Sequence, residues 1–180
     1  MVGAPVLLVR GSIRGSLGAG IILTVVACGD IPATTERSSA PAAIAEVDSR
    51  ENRFPGYPVA GTTYLSFNRA HGFQVNYIAR GGRAWLWYPG NDRAVPEEWK
   101  TDTVRGIPAV CFRHPHGSFN PVTRRRGGAY ACQPLELSQK TIVSSLDGDA
   151  FGLSSGDVPY RRSRCAAPES FAFDRDRFGC

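Results

Sequence analysis

The sequence predicts a mainly β fold: a small antiparallel meander, sheet or partly open barrel, with two disulfides and at most one short helix. Three observations carry that reading. Twenty Gly and thirteen Pro are spread over 180 residues, which imposes many turns and so short elements. Between those turns lie runs rich in Val, Ile, Thr, Tyr, Phe and Trp, two of them separated only by a Gly-Gly turn. Five cysteines leave an even four to pair once one of them is assigned to the N-terminal segment. Apolar residues at 42% and aromatic residues at 10% suffice for a core.

The N-terminal segment comes first. Arg10 and Arg14 form a positive region without a nearby acid, followed by an apolar stretch over residues 17–27. As a helix those residues reach about 16 Å, roughly half of a bilayer's hydrocarbon. That length suits a cleaved export signal and not a membrane anchor. The stretch ends Val25-Val26-Ala27-Cys28, with a branched apolar residue at −3 and a small residue at −1. This segment resembles the lipobox of bacterial lipoproteins. The resemblance implies a signal peptide at 1–27 and an acylated Cys28, palmitate or a related chain, as the mature N-terminus and membrane contact. Gly29 after the cysteine resembles lipoproteins sorted onward. In a Gram-negative host that implies the periplasmic face of the outer membrane.

Residues 28–55 read as a flexible tether rich in Ala, Ser, Thr, Pro and charge, without an aromatic until Phe54. Its typical span is roughly 30 Å. Helix formers after Pro41 allow one short helix at 42–47. The ordered domain is expected over 56–180.

Within it, residues 62–67 are β-branched and aromatic, and 73–79 alternate, with Phe73, Val75 and Tyr77 on one face. Gly81-Gly82 then turns the chain into a strand at 83–88, which Pro89-Gly90-Asn91-Asp92 ends. Strands at 110–114 and 128–133 are expected to pair, separated by a long loop. Beyond Pro134, the residues Leu135, Gln139, Ile142, Val143 and Leu146 fit one helical face, while Ile142-Val143 also suits a strand; the short helix is favoured. Residues 163–180 read as an irregular wrap.

Cys111, Cys132, Cys165 and Cys180 remain after export, and four cysteines allow three pairings. Cys111 and Cys132 lie on the two runs expected to pair, which favours 111–132 and leaves 165–180. With no CxxC spacing, structural disulfides are favoured over metal or redox chemistry.

Three constellations can carry function. Trp85 and Trp87 share a strand face, and with Trp99 they offer either a sugar-stacking platform or a packed core; core packing is favoured. Arg124, Arg125 and Arg126 offer an anion site or a solvated loop. His114-Pro115-His116 offers two imidazoles, without a carboxylate at ligand spacing. Glu97-Glu98 reads as surface charge, and His71 as a solvated loop residue. No G-x-S-x-G or H-E-x-x-H is present, so no residue is assigned as catalytic or as a metal ligand, and no cofactor is expected. Arg10 and Arg14 account for two of the formal +5, so the mature chain carries +3, too little for a nucleic-acid partner.

The mature domain loosely resembles small exported alphaproteobacterial proteins of uncharacterised activity, on GRAWLWYPGN, AVCFRH and YACQP. The expected function is therefore a lipid-anchored envelope lipoprotein acting as a non-enzymatic binding or structural accessory, with an envelope protein or glycan as partner. The alternative is an envelope glycan-binding protein or hydrolase that uses Trp85, Trp87 and Trp99. A hydrolase requires a concave pocket with convergent polar groups beside those tryptophans.

Overall fold

The computed structural model describes residues 40–178. The expected signal peptide, the expected lipid site Cys28 and the cysteine at 180 lie outside the described residues. The elements, in chain order, are α1 (Ala40–Asp48), β1 (Thr62–Asn68), β2 (Gly72–Ile78), β3 (Arg83–Trp87), β4 (Val95–Val104), β5 (Ile107–Arg113), β6 (Phe119–Asn120), β7 (Arg125–Arg126), β8 (Tyr130–Pro134), α2 (Leu135–Thr141) and β9 (Ile142–Asp147).

Seven strands make one antiparallel sheet in the order β8-β5-β4-β3-β2-β1-β9, and β6-β7 is a separate small hairpin. The two edge strands are joined through α2 alone. A seven-residue helix reaches about 10 Å, whereas seven strands laid flat extend about 29 Å from edge to edge. The sheet therefore curls into a half-barrel. Gln139 of α2 is buried and fastens the seam: its amide donates to Pro55 O at 2.7 Å and Tyr57 O at 3.1 Å, and accepts from Asn52 at 2.7 Å.

Directly opposed residues in antiparallel strands share a face, so the register sorts the side chains. Leu65, Val75 and Trp87 form one row, with the pairs Phe67–Phe73 and Tyr77–Trp85 beside it. This face is covered by the C-terminal segment, which contributes Leu153, Ala167 and Phe171 to the same core. The wrap docks closely at Gly72, whose φ is +81°; a Cβ there would lie 2.5 Å from the backbone oxygen of Arg164. That oxygen accepts from the N–H of Phe73 at 3.0 Å.

The opposite face carries a second core of Tyr57, Tyr64, Ile78, Ala84, Val110 and Ile142, with Trp99, Phe112 and Leu135 packed against it. Here α1 and the segment after it, residues the composition assigns to a tether, lie on the domain. Ala43 and Val47 are buried. Buried Arg50 donates to Phe67 O at 2.8 Å and pairs with Glu46 at 2.6 Å.

Two parts of the predicted fold class are corrected. Among the described residues there are two α-helices, because an apolar stripe on residues 40–48 finds a partner surface and because the stretch after Pro134 divides. Its first half forms α2, and its β-branched half, Ile142 onward, pairs with β1 as β9. There is one disulfide among the described residues, Cys111–Cys132, across directly opposed positions of β5 and β8. Cys165 is free and exposed. Even parity cannot bring two cysteines together, and Arg164, seated at Phe73, leaves its neighbour Cys165 at the surface.

Candidate functional site

A cavity of about 360 Å³ lies inside the curl, within the range of small-molecule sites. Six strands reach it: Ser66 from β1, Gln74 and Asn76 from β2, Leu86 from β3, Glu97 from β4, Phe112 from β5 and Ala131 from β8. A single space touched by that many strands can only be the concave side. Val47 of α1 and Leu137 of α2 form an apolar wall, and the β6-β7 hairpin supplies part of the rim.

The floor is built on Glu97. Its side chain is 2% exposed, and one carboxylate oxygen lies 2.7 Å from Nδ1 of His114. The other accepts from the amide nitrogen of Asn76 at 3.1 Å. A buried carboxylate is costly unless charge-paired and hydrogen-bonded, and these two partners meet that requirement. The hydrogen bond that Glu97 accepts from His114, aided by the carboxylate charge, holds the His114 pKa above its ordinary value against the effect of burial. Asn76 directs its nitrogen to Glu97, and its oxygen is shielded from bulk water without a hydrogen-bond partner.

His71 lines the same cavity and lies 3.1 Å from Asn68 Oδ1 through Nδ1. Burial, with Arg164 nearby, pushes its pKa below the ordinary value, against a bond with Asn120. One cavity thus holds two histidines with opposite tendencies.

The rim is anchored to the floor. The N–H of Gly128 donates to His114 O at 2.9 Å and that of Gly127 to Ser118 O at 3.0 Å. A Cβ at Gly127 would fall 2.1 Å from Pro115 O, so only glycine permits that approach. Arg125 and Arg126 are exposed and line the cavity, while Arg124 occupies the hairpin turn with φ +56°. The turn is closed by Asn120 Oδ1, which accepts from Val122 and Thr123.

The three tryptophans do not converge. Trp85 and Trp87 are 8% and 0% exposed beneath the C-terminal wrap, and the indole of Trp87 donates to Asn91 O at 3.0 Å. Trp99 lies against the other core and donates to Ala79 O at 3.0 Å. None of them lines the cavity. Glu98, beside Glu97 in sequence, points to the opposite face, where it pairs with Arg113 and Tyr130.

Sequence reasoning placed Glu97 on the surface and missed its pairing with His114. A signal was present: Val95, Glu97 and Trp99 alternate, and a tryptophan two residues on marks an inward face. Among the described residues no group of three or more His, Cys, Asp or Glu side chains can hold a metal, and no helix is long and apolar enough to cross a membrane. Set beside family models, curated proteins and solved structures, the chain matches none.

Proposed function

We propose that the chain is a lipid-anchored envelope lipoprotein, held through Cys28, whose half-barrel is a non-enzymatic module that binds a small polar ligand in its cavity. The observation that carries the binding reading is the cavity itself. It is lined by six strands of the sheet, with the Glu97–His114 pair at its floor and Ser66, Gln74 and Asn76 beside it. Binding sites combine a preformed hollow with a few convergent polar groups, and this hollow has both. The lipid reading rests on Val25-Val26-Ala27-Cys28 after an apolar stretch.

Two measurements test it. The intact mass of protein purified from its host is expected to fit a chain starting at Cys28 with acyl groups, and to gain the two hydrogens of one disulfide on reduction. A mass that retains residues 1–27 removes the anchor. For binding, the labelled full chain in detergent is screened by NMR against a diverse set of polar fragments. Shifts are expected at Gln74, Asn76 and His114; a set that moves none of them removes the binding reading.

A further inference from the structure

The cavity's chemistry narrows its ligand, and the narrowing rests on the binding reading above. Ser66 and Gln74 are directly opposed on β1 and β2, and Asn76 follows on the same face. Together they form a row of neutral groups, each able to donate and accept. Such a row suits hydroxyls, which also do both. An apolar chain would strip water from this row without compensation. A cationic amine finds no open carboxylate, because both Glu97 oxygens are already engaged by His114 and Asn76. Protonation of His114, favoured by Glu97, makes that pair neutral as a unit.

The rim differs in sign. Arg125 and Arg126 are exposed cavity-lining residues, and neither has an acidic partner within the ion pairs of the described residues. Guanidinium groups so placed meet carboxylate or phosphate oxygens through paired N–H donors. Between rim and floor, Leu86, Tyr88 and Phe112 add apolar and aromatic surface of the kind that packs against the C–H face of a sugar ring.

We propose that the cavity takes an acidic saccharide, its hydroxyls on the row Ser66, Gln74 and Asn76 and its acid group on Arg125 and Arg126. Neutral sugars make only the floor contacts and bind more weakly.

The test uses the full chain in detergent, isotope-labelled and titrated separately with trigalacturonate, glucose 6-phosphate and maltotriose. At least one acidic sugar is expected to shift Gln74 and Asn76 and to bind about tenfold or more tightly than maltotriose, the advantage shrinking as salt rises. Whichever acidic sugar binds tighter identifies the acid as carboxylate or phosphate. The double variant Arg125→Ala with Arg126→Ala alters only exposed side chains and is expected to bring the acidic sugars to the maltotriose level. Asn76→Ala is expected to weaken all sugars. Equal affinity for acidic and neutral sugars, or a double variant without effect, overturns the proposal. If the sugars leave the cavity unmoved while polar fragments shift it, the saccharide assignment falls and the binding module stands. If neither moves it, both fall.

Discussion

The two faces of one sheet were built by the same alternation of side chains and ended differently. On the wrapped face, Leu65, Phe67, Phe73, Val75, Trp85 and Trp87 meet aromatic residues from the C-terminal segment. Phe171 and Tyr160 both pack against Phe151, and Tyr160 meets Trp87 edge-on at 5.4 Å. On the concave face, the same sheet presents Ser66, Gln74, Asn76 and Glu97, and α1 with α2 covers only part of them. The wrap has large rings to fill space, whereas the helices are short and leave a hollow. One face of this sheet thus gives stability, and the other is free to hold polar groups, each of which needs a partner.

The comparison breaks first at its heaviest residue. Trp87→Ala removes a fully buried indole and is expected to cost about 3–5 kcal/mol, while Leu86→Ala, the next residue but facing the hollow, is expected to cost about 1–2 kcal/mol. Urea unfolding of both variants checks this; equal costs would end the distinction between a packed and an open face. Next comes Arg50, the buried charge that joins α1 to β1. Arg50→Ala is expected to cost about 3 kcal/mol, because it leaves Phe67 O without its donor and Glu46 without its partner. A cost below about 1 kcal/mol by the same unfolding assay would show that α1 is not part of the cooperative domain.

The polar floor supplies a smaller, pH-dependent effect. The folded pKa of His114 lies above its ordinary 6.5, so the stability it contributes is complete below about pH 6.5 and is lost as pH rises through the folded value. His71 has the opposite sign: its folded pKa lies below 6.5, and its cost sets in as pH falls below that value. NMR titration of the two imidazoles is expected to give midpoints on either side of 6.5, with Glu97→Gln lowering that of His114 and leaving His71 in place. Coincident midpoints would contradict the paired floor. The smallest effect belongs to the exposed β4 pair Lys100–Asp102, separated by 2.6 Å at the surface. Lys100→Ala is expected to leave the urea unfolding midpoint essentially unchanged, since such exposed pairs are screened by water.

Strands flanked by turn residues were legible without the structure. β1, β2 and β3 follow β-branched and aromatic alternation, and Cys111 faces Cys132 because their strands pair. β4 was not legible: Pro96 and four charged residues between Val95 and Val104 disguise a strand that is central in the sheet. Pro96 is tolerated because it sits near the strand's start. The division of α2 from β9 was legible only as an ambiguity, since Ile142 and Val143 fit either period. Of the cavity, the sequence marked Arg125 and Arg126 as a charge cluster, yet it pointed to the tryptophans as the alternative site. It left His71 and Glu97 to the solvent.

By itself, then, the sequence determined what is local: which runs are strands, that Trp85 and Trp87 share a face, and that turns are frequent. Periodicity encodes these because neighbouring side chains must alternate along an extended chain. Only the tertiary structure decided that β8 and β9 are brought together through α2, that Arg50 and Gln139 secure residues 46–57, and that Glu97 meets His114 beneath Asn76. Those contacts join residues separate in the chain: Glu97 comes opposite His114 where β4 pairs with β5, and Arg50 and Gln139 reach carbonyl groups that only the packed fold brings to them.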